Sequence, residues 1–418
     1  MSTRPTITAI TVMTILAAGG FAARPASPAV TSQNEQQLAP GSRLAISNDS
    51  GPISVTGWDK DTVQAGIAGE RDLAAVKMYQ QTGKSGLMII SVNPTGRHSD
   101  EPHLILKVPR AVVIESLHSG SGDIDISGVK GPISANTGSG TMKISNVGPI
   151  NAQTGSGDIT AASVAGDASL QTSSGDIRAS GISGRASLFT GSGDIRVEGA
   201  GTLAAKNASG GITARSIDGS ASIQANSSDV DIRGVKGDLI ARITSGDLIA
   251  DNIGGLVDAI VTSGDVSITH SAGDVRISTI SADVKVQCAA GLVRVGSASA
   301  SIQLSGIGGD VEAKTTSGDV SFTGVIKPRG HYILRSTSGS VRMAIQPDAP
   351  GFTATLASYS GEMETDFPLR LEGSLTGGRV NRKVTGRFGD GGADITLDSF
   401  SSTVTLTKLV AAKMPKCP

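Results

Sequence analysis

The chain has 418 residues, with 36 Lys and Arg against 37 Asp and Glu, and its 55 Gly are nearly twice the usual share of about 7%. The near-neutral balance excludes the basic footprint of a nucleic-acid binder, and 38% hydrophobic with 17% charged residues excludes the composition of a disordered chain. Glycine without a three-residue period is not collagen, two Cys make no disulfide framework, and 3% aromatic residues leave few sugar-stacking platforms.

At the N-terminus Arg4 precedes an apolar stretch from Thr6 to Ala23, and small residues continue to Ala29. One positive charge, an apolar core around Ile7 to Leu16 and a small-residue tail predict a secretory signal over residues 1–29. The alternative is an N-terminal anchor, because the stretch meets the lower bound of about 18 residues for a span. No later stretch is long and apolar enough to cross a membrane, so the mature chain is expected to have no membrane span. It is expected to be secreted, periplasmic or at the cell surface. Residues 30–40 read as a linker. Over residues 41–117, short alternating runs (Arg43–Ser47, Ile53–Gly57, Leu87–Val92, Leu104–Val108) are broken by Pro94, Pro102 and Pro109. They read as an N-terminal β cap with the first irregular rungs.

Residues 118–330 carry a regular repeat. Its anchors are Asp123, Thr141, Asp158, Asp176, Asp194, Gly211, Asp229, Asp247, Asp265, Asp283, Ser301 and Asp319, with nine intervals of 18 residues and two of 17. The residue after each anchor is aliphatic, as in Ile124, Ile159, Val266 and Val284. Gly recurs eight residues after the anchor, and a second alternating run follows, as in Leu239, Ala241 and Ile243. Period-2 runs are strands with alternate side chains facing one core, and the fixed glycines read as corners needing positive φ. A strand pair this small cannot bury its apolar face alone, so identical units must stack. The predicted fold is all-β: a single-stranded parallel β-solenoid, right-handed by the crossover rule, with about 18 residues per rung and irregular β caps at both ends. Twelve rungs at ~4.8 Å give a rod of roughly 58 Å. After Asp319 the spacing stretches, so residues 331–410 read as C-terminal irregular rungs and cap, and residues 411–418 as a loose tail.

The aspartates are the obvious candidate site. Asp123, Asp158, Asp176, Asp194, Asp229, Asp247, Asp265, Asp283 and Asp319 form a ladder whose bland role is to accept hydrogen bonds from their own turns. The alternative is a calcium ladder, best at the consecutive Asp229, Asp247, Asp265 and Asp283. In calcium β-rolls, however, one residue separates the last Gly from Asp, whereas Gly157-Asp158 and Gly175-Asp176 are adjacent here. A carbohydrate-active β-helix is a further alternative, since paired carboxylates drive glycoside hydrolysis. The even spacing leaves no insertion to build a cleft. The five His (His98, His103, His118, His270, His331) show no metal spacing. Cys288 follows Val284 and Val286 at period 2 and so should face inward, which makes a disulfide with Cys417 in the tail unexpected.

The recurrent Ser-Gly-Asp-Ile/Val step, Gly51-Pro52-Ile53-Ser54-Val55-Thr56-Gly57-Trp58-Asp59, Tyr359-Ser360-Gly361-Glu362-Met363 and Gly389-Asp390-Gly391-Gly392-Ala393-Asp394-Ile395 together resemble the bacterial "putative adhesin" family of β-strand-repeat proteins, a domain of unknown function. The resemblance covers roughly Leu38 to Leu409 and departs from the motif at Thr141, Gly211 and Ser301. It implies a secreted or envelope β-solenoid and supplies no catalytic residues to carry over. The expected function is a non-enzymatic, adhesin-like scaffold or surface-interaction protein. It would need no cofactor and would bind a surface protein or glycan, not nucleic acid.

Overall fold

The computed structural model describes residues 32–38, 41–68, 74–80, 86–94, 101–372, 382–410 and 417; the segment expected to be a signal, His98 and most of the C-terminal tail lie outside them. It is an all-β solenoid of about 13 parallel stacked coils with about 18 residues per turn. Among the described residues no helix is long and apolar enough to cross a membrane.

Each regular rung has two strands, and their alternation builds the core. In the rung of Asp265, Val266, Ile268, Val275 and Ile277 are buried while Arg276 and Ser278 are exposed. Val266 pairs with Leu248 in the rung before and with Val284 in the rung after. Like thus stacks on like, and the buried side chains form one continuous apolar column along the rod. That column is narrow and aliphatic through the middle. The larger rings gather near the C-terminal end, where Phe352 lies 5.2 Å from Phe367 and 5.1 Å from Phe388.

Period-2 alternation is interrupted once per rung. Five residues after the anchor, Gly128, Asn146, Ser163, Gly181, Gly199, Ser216, Gly234, Asn252, His270, Cys288 and Gly306 have φ between 52° and 84°. This left-handed residue turns its own side chain away from the core. The next position goes inward instead, as Val129, Val147, Ile182, Val235 and Ala289 do. Cys288 therefore does not face inward: Ala289 is buried in its place, and Cys288 is half-buried.

Of the glycines eight positions after the anchor, Gly166 has the positive φ their spacing suggests, but others are required for a different reason. A Cβ on Gly273 would stand 2.3 Å from the carbonyl oxygen of Gly255, and one on Gly309 would stand 2.2 Å from that of Gly291. Neither has a positive φ. These corners stack backbone on backbone, and only the absence of a side chain permits the approach.

The ends depart from sequential winding. The rung of Arg43–Asn48 and Ile53–Trp58 sits between that of Leu87–Pro94 and His103–Pro109 and that of Val113–Ser119 and Ile124–Ser127. At the other end Ala393–Ser399 and Val404–Lys408 insert between the rung of His331–Ser338 and Val341–Ile345 and the strands Phe352–Ser358 and Met363–Thr365. Antiparallel strands then cover the open edges. Thr62–Ala68 covers His103–Pro109, Ala74–Gln80 covers Leu87–Pro94, and Lys383–Phe388 covers Phe352–Ser358. Unpaired parallel edges invite end-to-end association, and these strands block it. Ser32–Gln37, read from sequence as linker, is itself a strand paired with Thr62–Ala68.

Candidate functional site

All nine ladder aspartates make the same contact. Oδ1 of Asp123 accepts the N–H of Thr141 at 2.8 Å, and Asp158, Asp176 and Asp194 accept those of Asp176, Asp194 and Gly211 at 2.9 Å. Asp229, Asp247, Asp265, Asp283 and Asp319 continue the pattern to Asp247, Asp265, Asp283, Ser301 and Ser340. The bond runs to the next rung and not to the aspartate's own turn. At this corner the strand ladder lapses, and the carboxylate supplies the acceptor that the anchor N–H would otherwise lack. Several outer oxygens are paired as well: Arg178 reaches Asp176 at 2.7 Å, Arg196 reaches Asp194 at 2.8 Å, and Arg342 reaches Asp319 at 3.1 Å.

Two further ladders carry no motif that singled them out in the sequence. Nine residues after the anchor, Oδ1 of Asp167, Asp238, Asp274 and Asp310 accepts the N–H of Arg185, Leu256, Leu292 and His331 across the rung at 2.8 to 3.0 Å. Inside the rod, the hydroxyls of Thr137, Thr154, Thr172 and Thr190 donate to the carbonyls of Gly122, Gly140, Gly157 and Gly175 at 2.9 to 3.0 Å. Irregular occupancy hides the aspartate set in the sequence. The threonine set is indistinguishable there from ordinary strand alternation.

The carboxylates with displaced pKa values move downward. The Gly211 N–H, aided by Arg196 and opposed by partial burial, holds Asp194 below its ordinary 3.8. Lys314 and Arg294 lower Glu312, and Arg110 lowers Asp59. For Asp194 the consequence is a stability term that is full above about pH 4 and lost as the pH falls through the depressed folded value. Asp194→Asn should therefore be less stable than the parent at pH 7, with the gap closing in acid. Urea unfolding at several pH values tests this; a gap that persists undiminished to about pH 2 would contradict it.

The histidines stay apart. Nε2 of His103 lies 2.8 Å from Ser54 Oγ, and burial pushes its pKa down against the nearby Asp125. His270 Nδ1 meets Asp251 Oδ1 at 2.8 Å, and His331 lies 3.3 Å from Asp394. No group of three or more His, Cys, Asp or Glu is placed to hold a metal among the described residues. Tyr359 and Phe400 form an exposed parallel stack at 4.6 Å, but Arg382 lies 3.4 Å from the Tyr359 ring centre. The strand order places Phe400 on one side of Tyr359 and Arg382 on the other, so neither face of Tyr359 is free to receive a sugar.

The unexpected feature is a disulfide. Cys288 and Cys417 are bonded, with Cα atoms 5.3 Å apart across 129 positions of sequence. The left-handed turn that carries Cys288 outward is what makes the bond possible, and it corrects the inward assignment on which the sequence expectation rested.

Open depressions of about 440, 380 and 300 Å³ lie on the outward strand faces. Each is lined by residues of neighbouring rungs. What the geometry defines is thus a capped parallel β-solenoid whose corners are locked by hydrogen-bond ladders and whose faces are displayed. The chain belongs to the Toastrack DUF4097 family, whose model matches residues 40–226 and 261–407. Comparison with curated proteins gives no match. Two solved structures are similar: a "putative cell adhesion protein" from Clostridium sporogenes (7% identity, 90% of this chain and 99% of that one, TM-score 0.17) and a "putative adhesin" from Bacteroides fragilis (10% identity, 90% and 96%, TM-score 0.17).

Proposed function

We propose that the protein is a secreted or envelope-associated, non-enzymatic β-solenoid, an adhesin-like scaffold that displays its strand faces to a surface protein or glycan. The observation that carries this reading is the division of labour around each rung. The corners are committed to ladders, whereas the outward strand positions vary freely in size and charge, as Arg178, Arg196, Thr213 and Asp231 do along one column. A rigid frame with a variable face is suited to recognition. The disulfide supports an oxidising compartment outside the cytoplasm. A calcium-stabilised reading has less support, since every Oδ1 of the ladder already accepts an N–H.

Fractionation of the producing cell tests location. The protein should appear outside the cytoplasm, lacking roughly the first 20–29 residues, and should release no reducing ends from a polysaccharide panel. Intact Met1 in the cytosol with both thiols reduced would defeat the export reading. Activity abolished by one Asp→Asn change at intact fold would defeat the non-enzymatic one.

A further inference from the structure

Gly296 has no reason in the fold to be glycine. It lies in the strand Val293–Ser299 at an outward position, where glycine weakens a strand. Its φ is not positive, and a Cβ built on it would meet nothing within 4 Å. Among the described glycines it alone combines open space with an ordinary φ. Glycine in a strand also marks a place where another molecule approaches the backbone.

The surroundings fit that explanation. Ser278 and Lys314 flank Gly296 in the adjacent rungs, while Arg276, Arg294 and Glu312 stand side by side in the next outward column. Together with Asp258 they line a depression of about 300 Å³ that includes Gly296. Glu312 Oε2 takes Arg294 through Nε at 2.7 Å, and its Oε1 takes Lys314. Asp258 pairs in register with Arg276, yet no ion pair joins them. Among the described residues this leaves the Arg276 guanidinium and the Nη groups of Arg294 without an acceptor. Two guanidinium groups carried side by side on adjacent strands, the strands themselves about 4.8 Å apart, suit the oxygens of one carboxylate. Ser278, Lys314 and the remaining acceptor capacity of Glu312 suit hydroxyls.

We propose that the Gly296 notch is a subsite for a uronate unit of an acidic polysaccharide, with the sugar against the bare backbone and its carboxylate between Arg276 and Arg294. The proposal deepens the surface-interaction reading and rests on it only for the source of the ligand.

The test is calorimetric titration of the purified full protein with trigalacturonate, maltotriose and sulfate, for the parent and for Gly296→Val and Arg276→Gln. Trigalacturonate should bind, and each variant should weaken it at least tenfold. Because the valine enters open space on a strand, Gly296→Val should melt no lower than the parent, which separates lost binding from lost fold. Absence of trigalacturonate binding, equal binding of maltotriose, equal binding of sulfate, or undiminished binding by both variants would each overturn the subsite. Those results would leave the broader reading standing. That reading fails separately if cell envelopes do not retain the protein.

Discussion

Val266→Asp should open the middle of the solenoid, while Ser267→Asp, one residue on, should leave it intact. Val266 is 1% exposed and lies between Leu248 and Val284 in the apolar column. A carboxyl group there has no partner, and burying it costs about 4 kcal/mol or more, even after it takes up a proton. Ser267 faces outward between Ile249 and Lys285, where an added carboxylate meets water and a cation. That change should stay within about 0.5 kcal/mol. Stability in a stacked repeat is a sum of rung and interface terms, so the damage should begin at this rung and spread to its neighbours. Hydrogen exchange should show the strands Leu248–Ile253, Val266–Ser271 and Val284–Ala289 losing protection before the distant ones. Equal tolerance of the two substitutions would show the in/out assignment to be wrong.

That assignment was legible in the sequence because burial on a strand is a period-2 signal and the period of 18 repeats it many times. Position-by-position stacking, such as Val257 on Val275 on Val293, follows from the repeat alone. Irregular caps at the ends were legible, but their order of winding was not. Rungs that insert out of chain order, as Ala393–Ser399 does against His331–Ser338, leave no trace in spacing. The direction of the aspartate bond was also hidden: an acceptor for the residue's own turn and one for the next rung predict the same residue at the same place. The position of Cys288 was misjudged by counting in twos through a left-handed residue. A signal for that residue existed. The same column holds Gly128, Gly181, Gly199 and Gly234 with Asn146 and Asn252, the residue types that adopt positive φ at least cost. The Gly296 notch shows up only against this background, because among the described glycines it alone pairs an ordinary φ with open space at its missing Cβ.

Removing the Cys288–Cys417 bond should lower stability by about 2–4 kcal/mol, the usual range for a native disulfide. A bond that spans 129 positions closes a long loop in the unfolded chain, and the chain-entropy model assigns ~5 kcal/mol to such a loop. The full value is not expected, because a stacked repeat can open rung by rung while the bond still ties one rung to the C-terminus. Reduction of the parent and the Cys417→Ser change should therefore shift the melting curve by the same amount, and the variant should not respond further to reductant. Cys288→Ser should match them, since Ser163 and Ser216 hold the same left-handed position elsewhere in the rod. The loss should concentrate between Cys288 and the C-terminus, where strands such as Ile302–Ser305 and Val311–Ser317 lie inside the closed loop, and should spare the rungs before Val230. Alkylation of the unreduced, unfolded protein is the decisive control. Two labelled thiols would mean that the bond does not form, whereas none, together with a reductant-sensitive melt, would place the left-handed column at the centre of how this solenoid holds its C-terminus.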